Sequence, residues 1–124
     1  MVIDTSALLA LFFKESHSLW VKEQLILHQA SLRMSTVNLA ETLILIQDRQ
    51  PQIFEEIHGT LVSSNIRFVP PSVAHAEMAA SARLKYPLNL GDCFAYALAK
   101  EEGCPILTLD KDFKTTDVPV LFHS

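Results

Sequence analysis

Glycine is scarce, with three residues in 124, which argues against an all-β protein crowded with tight turns. Cysteine is scarcer still. Cys93 and Cys104 are the only two, too few for a disulfide framework and not at zinc-finger spacing, so buried, reduced thiols are expected. There is no basic excess either. The formal charge is −4, and no general affinity for nucleic acid follows from it. Any such surface must be local, built from single lysines or assembled across a dimer. Long apolar runs are absent too. "ALLALFF" (7–13) follows Asp4, lacks a basic flank ahead of it and runs into Lys14 and Glu15. It is too short to span a bilayer and is not a signal segment. A soluble, cytoplasmic protein that makes no use of a membrane is the expectation. What is present is apolar residues, 49% of the chain, enough for one core in a single domain over 1–124 and too many for disorder.

Those apolar residues alternate between strand-like and helix-like runs. Short strands are expected at 2–4, 32–37, 66–69, 105–109 and 119–122. Helices are expected at 6–15, 17–30, 38–50, 51–63, 73–86 and 90–102. Residues 17–30 repeat Leu19, Val21, Leu25 and Ile26 at helical spacing. Pro51 stops the helix before it, Ser72 reads as an N-cap, and Gly103 stands where a C′ glycine belongs. The helix at 6–15 is apolar nearly all round, which predicts deep burial or an interface. The order β-α-α-β-α-α-β-α-α-β-β predicts an α/β fold whose parallel sheet is covered on both faces.

The acids fall at particular places in that order. Asp4 ends the first strand. Glu41 lies one turn into the helix after the second. Asp92 is in the first turn of the helix before "PILTL", and Asp110 directly follows that strand. In an open parallel sheet the carboxyl ends of the strands share one edge, where ligands bind. Each acid also has a local explanation. Asp4, Thr5 or Ser6 can cap a helix, and Asn38-x-x-Glu41 has the form of a capping box. Asp92 suits a helix N-terminus, and Asp110 or Asp112 suits a turn. Jointly the four acids ask for more, because no Lys or Arg stands at a matching edge position. Clustered carboxylates either protonate or bind a cation, and Mg²⁺ takes one or two carboxylates plus waters and phosphate oxygens. His17, His28, His58, His75 and His123 show no ligand-pair spacing and are expected to be surface or packing residues.

"VIDTSALLALF", "NLAE" and "LGDCFAYALAKEEGCPILTLDKDF" resemble a PIN domain, and more narrowly the VapC-type toxins of type II toxin–antitoxin pairs. The resemblance covers nearly the whole chain. It implies a three-layer α/β/α fold with a short, mainly parallel central sheet. It implies a Mg²⁺- or Mn²⁺-dependent ribonuclease that forms a homodimer and is held inactive by a small antitoxin partner. Position by position, Asp4, Glu41, Asp92 and Asp110 match the acidic quartet, with Asp4 and Asp92 on the metal. Ser6 matches the hydroxyl that assists the first acid, Thr108 the small polar residue before the last one, and Asp112 can share the duty of Asp110. Lys14, Lys85, Lys111 and Lys114 are candidate contacts to RNA phosphates.

Two readings of different class follow. One is a metal-dependent endoribonuclease. The other is a non-catalytic module of the same fold that binds RNA or protein, with its acids serving as caps and with the first helix and "LILIQ" (43–47) as a dimer or antitoxin surface. A small-molecule phosphatase, with a nucleophilic Asp and a second Asp two positions on, is disfavoured because residue 6 is Ser.

Overall fold

Strand β1 (Val2–Ile3) lies at the centre of a parallel sheet in the order β3-β2-β1-β4-β5. Its partners are β2 (Arg33–Ser35) and β4 (Ile106–Thr108), with β3 (Arg67–Val69) and β5 (Val120–Phe122) at the edges. The structure is a computed structural model, in which residues 1–123 are described. Successive strand residues point to opposite faces. Ile3 and Leu107 accordingly join a core with Leu8, Val21, Met34, Ile46 and Leu61, while Val2 and Ile106 join another with Ala95, Leu98, Ala99 and Phe113. The first core is built from α1 (Thr5–Phe12), α2 (Ser18–Leu27), α3 (Thr36–Arg49) and α4 (Phe54–Val62), the second from α5 (Val73–Lys85) and α6 (Leu90–Glu102). The result is the expected α/β/α layering, and the order of strands and helices is the one the apolar pattern predicts.

Local chemistry sets the boundaries. Helix α1 stops at Phe12, short of residue 15, because Lys14 turns left-handed at φ 54°. The Glu15 N–H then bonds back to the Ala10 carbonyl at 2.9 Å, which satisfies a helix-end acceptor. Strand β2 ends at Ser35 because that hydroxyl accepts the Val37 N–H at 3.2 Å and starts α3 early. The expected Asn38–Glu41 capping box is therefore not formed, and both residues lie inside the helix. In α2 the expected apolar face is only partly used. Val21 is buried, but Leu19 and Ile26 are 67% and 58% exposed. The helix ends at Leu27 and gives way to a 3₁₀ turn over Gln29–Ser31.

Other expectations hold. Ser72 caps α5, with His75 reaching back to the Ser72 N–H at 3.2 Å. His75 is buried, its Nε2 lies 2.9 Å from Glu101 Oε1, and it is a packing residue as expected. Helix α6 spans the predicted residues, and Gly103 closes it at φ 64°, a region that favours glycine. Cys93 and Cys104 are free, the first buried and the second half-buried. No element was expected between β4 and β5, yet a 3₁₀ turn covers Lys111–Thr115, anchored by fully buried Phe113. The connection beyond it is tied to α6. Asp117 accepts from the Tyr96 hydroxyl at 2.7 Å and from Lys100 at 2.6 Å. Among the described residues no helix is long and apolar enough to cross a membrane.

Candidate active site

Strands β1 and β4 are hydrogen-bonded neighbours with Ile3 opposite Leu107. Their carboxyl ends therefore set Asp4 beside Thr108. Asp4 occupies the position before α1 in extended conformation, yet its side chain makes no capping bond. Its Oδ2 instead accepts from Ser6 Oγ at 2.7 Å and from Thr108 Oγ1 at 2.9 Å. The carboxyl is 1% exposed, and Oδ1 is buried with no partner in the protein. An unpartnered buried carboxylate oxygen is costly. The simple capping explanation of Asp4 thus fails.

The two hydroxyls are themselves held. Ser6 Oγ accepts the Leu109 N–H at 3.0 Å, and Thr108 Oγ1 accepts the Asp110 N–H at 2.9 Å. Asp110 Oδ1 in turn accepts the Asp112 N–H at 2.9 Å, which starts the 3₁₀ turn. The turn role foreseen for this pair is real, with Asp110 as the capping side chain.

Asp92 arrives from α6. It forms a true capping box: its N–H donates to Asn89 Oδ1 at 2.8 Å, and its Oδ2 accepts the Asn89 N–H at 3.3 Å. The local explanation therefore holds for Asp92, but it does not exhaust the residue's role. Asp92 is only 7% exposed and stands within the field of the other acids. Glu41 comes from α3 and rests against Gly91. A β-carbon at Gly91 would lie 2.7 Å from Glu41 Oε1 and 2.8 Å from Oε2. Glycine is what lets the carboxylate lie against the helix.

Asn38 holds these elements together and was not singled out from the sequence as anything but a cap. Fully buried in α3, its Nδ2 donates to the Gly91 carbonyl at 3.0 Å and to Thr5 Oγ1 at 3.2 Å, linking α3 to α6 and α1. The available signal was Asn38 and Thr42 one turn apart within an apolar helix. The Thr42 hydroxyl donates to the Asn38 carbonyl at 2.8 Å.

Electrostatics report the gathering of acids. Burial pushes Asp4 from 3.8 up to about 6, against the hydrogen bonds from Ser6 and Thr108, and the Asp110 charge adds to the rise. Burial pushes Asp92 up to about 7, helped by the charge of Asp4 and then by those of Asp110 and Glu41. Asp92 thus feels the charges of the other three acids, and Asp4 that of Asp110. Among the described residues no three His, Cys, Asp or Glu side chains form a group that could hold a metal ion by themselves. A hard cation that keeps most of its waters fits such a donor set, with the orphaned Asp4 Oδ1 as an available oxygen. Lys14, Lys85, Lys111 and Lys114 are all exposed, and the Lys114 ammonium stands 4.4 Å from the centre of the Phe122 ring.

Residues 1–119 match the family model described as PIN domain. The chain belongs to the PIN domain family. It is 35% identical over a 127-residue alignment to Ribonuclease VapC42 of Mycobacterium tuberculosis strain H37Rv, covering 95% of this chain and 96% of that one. Solved structures share the fold. The chain superposes with a TM-score of 0.82 on Mycobacterium tuberculosis VapC20, described as a toxin that cleaves the sarcin–ricin loop, at 17% identity over 94% of this chain and 95% of the other. A toxin–antitoxin complex from Klebsiella pneumoniae gives 0.78 at 21% identity, covering 97% of this chain and 94% of that one. In this PIN domain, then, the strand-end acids stand at the carboxyl edge of the sheet, where the fold leaves its crevice.

Proposed function

We propose that this PIN domain is a toxin endoribonuclease that hydrolyses RNA phosphodiester bonds with Mg²⁺ or Mn²⁺ held by Asp4 and Asp92. The observation that carries the reading is Asp4. It is a buried carboxyl with one oxygen fixed by two hydroxyls and the other unpartnered; the Asp110 charge raises its pKa, and the charges of Asp4, Asp110 and Glu41 raise that of Asp92. Carboxylates are gathered in this way, at a cost, where a cation offsets them. The ion would neutralise the phosphate, acidify a water and stabilise the leaving oxygen.

The chain's own residues do the rest. Ser6 and Thr108 fix the rotamer of Asp4 and so aim its second oxygen. Asn89 and the first turn of α6 hold Asp92. Glu41 and Asp110 add negative charge that favours the cation, and would complete its cage, hold a second ion or orient the attacking water. Asp112 supports Asp110 through the turn that joins them. The relative named as a VapC ribonuclease and the structural neighbours, one solved as a toxin–antitoxin complex and one described as an RNA-cleaving toxin, support the same setting. So does an apolar cavity of about 200 Å³ between α1, α2 and α4, walled by Leu8, Leu11, Phe12 and Leu25, which suits a segment of a small antitoxin. The same setting includes a homodimer acting in the cytoplasm.

The test is cleavage of end-labelled RNA by partner-free protein. Millimolar Mg²⁺ or Mn²⁺ should support cleavage, chelator should stop it, and Asp4→Asn should abolish it while circular dichroism shows the fold retained. Metal-independent cleavage, or full activity in Asp4→Asn, would refute the assignment. Binding of RNA without any cleavage would favour a non-catalytic module.

A further inference from the structure

Ser6 faces two ways. Its hydroxyl holds Asp4 at 2.7 Å, and the same residue lines a cavity of roughly 260 Å³ whose other walls are Leu9, Glu15, Ser16, His17 and Leu109. Whatever fills this cavity touches the residue that holds Asp4. We propose that it is a subsite for one unpaired nucleobase of the RNA, the base that flanks the cleaved phosphodiester. The inference rests on the ribonuclease reading above and adds to it where sequence preference is set.

The lining has the composition that a base needs. Leu9 and Leu109 supply apolar surface on two sides. His17 supplies an aromatic ring, and this ring is already ordered. Its centre lies 4.5 Å from that of His123, which in turn meets Trp20 edge-on at 5.3 Å. A ring held in place before the ligand arrives loses less freedom on stacking. The loop that carries Glu15, Ser16 and His17 is held as well. Lys14 takes the left-handed conformation at φ 54°, where glycine is the usual choice, and the Glu15 N–H is bonded to the Ala10 carbonyl at 2.9 Å. A non-glycine residue kept in this region beside a candidate site marks a loop whose shape is maintained against local strain.

The polar groups at the cavity specify the kind of base. Glu15, when ionised, only accepts hydrogen bonds, and the Ser16 hydroxyl accepts as well as donates. Guanine, adenine and cytosine carry an exocyclic amino group that donates to such acceptors. Uracil has none. A phosphate is a poor occupant, because Glu15 would repel it. An exocyclic amino group brings two N–H donors to these acceptors where uracil brings only its ring N3–H, so the subsite favours an amino-bearing base over uracil.

The experiment begins by mapping the cleaved bond in a transcript pool. Short RNAs are then made with guanine, adenine, cytosine, uracil or an abasic ribose on each side of that bond. Wild-type protein should cleave one set with about tenfold loss for the abasic RNA. His17→Ala should remove that loss, and His17→Phe, which keeps a stacking ring, should retain it. Glu15→Ala, which removes the acceptor, should narrow the gap between the amino-bearing bases and uracil while the base-over-abasic preference stays. Equal ratios in wild type and His17→Ala, with cleavage intact and melting temperature unchanged, overturn the subsite and leave the ribonuclease reading standing. Absence of cleavage by wild type with either metal overturns the ribonuclease reading itself.

Discussion

Thr108 Oγ1 lies 2.9 Å from Asp4 Oδ2, across 104 positions of sequence. The contact exists because β1 and β4 pair in register, and it leaves one carboxylate oxygen fixed and the other without a partner. Thr108→Val keeps the shape of the side chain and removes this donor, along with the acceptor for the Asp110 N–H. RNA cleavage should fall about 10–100-fold, the usual range for groups that orient a metal ligand. A single-turnover assay with saturating metal checks it, and an undiminished rate would show that Asp4 needs no such orientation.

Gly91→Ala should separate stability from activity. The new methyl would meet the Glu41 oxygens at 2.7 and 2.8 Å, so the carboxylate must swing away. These atoms are the far end of a flexible side chain, and alanine is worth about 0.5–1 kcal/mol over glycine within a helix. Denaturant midpoints should hold or rise while cleavage drops. Loss of both together would mean that the backbone, not Glu41, had moved.

The pH dependence follows from Asp92. Its folded pKa is raised from 3.8 to about 7. For a carboxyl raised in the folded state, the stabilising contribution is complete below pH 3.8 and is lost as pH rises through about 7. Metal-free protein should lose this contribution across that window. Asp92→Asn keeps an oxygen for the Asn89 N–H and carries no charge. In chelator near pH 8 it should be more stable than wild type by on the order of 1–2 kcal/mol once solvent screening is allowed for. The gap should close near pH 4. Urea titrations at the two pH values decide, and a less stable variant at the higher pH contradicts the assigned shift.

Metal should act in the opposite sense. An ion that binds the deprotonated acids of the folded state raises the melting temperature, and at 100 times Kd the gain is about 2.7 kcal/mol. Since Asp4 and Asp92 titrate near 6 and 7, the gain at fixed Mg²⁺ should grow as pH passes through that range. Thermal melts with and without Mn²⁺ at several pH values test this, and a curve indifferent to metal at high pH removes the case for a cation.

Asn38→Leu should be costly without touching any acid. It leaves the Gly91 carbonyl and the Thr5 hydroxyl without the donor that now serves them. A loss of roughly 1–3 kcal/mol is expected, the scale for stranding buried polar groups. Calorimetry of the metal-free protein reads it directly.

The elements were legible because their signals are local. Val2, Ile3, Ile106 and Leu107 form short apolar runs, Pro51 and Gly103 punctuate, and Ser72 caps, each within a few residues of the effect. The misjudged boundaries came from competition between adjacent signals. Ser35 took the cap that Asn38 was expected to supply. Leu19 and Ile26 kept the helical period of α2 although the chain buries only Val21 of that helix, since period reports what can face a core and not whether one is there.

The acids show the division most plainly. Chain order alone put Asp4, Asp92 and Asp110 at strand ends and helix starts, because a parallel sheet obliges those places to share an edge. It had no means to separate Asp4, whose side chain makes no capping bond, from Asp92, which caps α6 and also feels the charges of Asp4, Asp110 and Glu41. That distinction lies in which hydroxyls and charges surround each carboxyl. Ser6, Thr108 and the Asn38 brace reach their places only when β1 pairs with β4 and α3 packs on α6. Hydrogen bonds and burial act over a few ångströms of space, and those ångströms are not written in neighbouring residues.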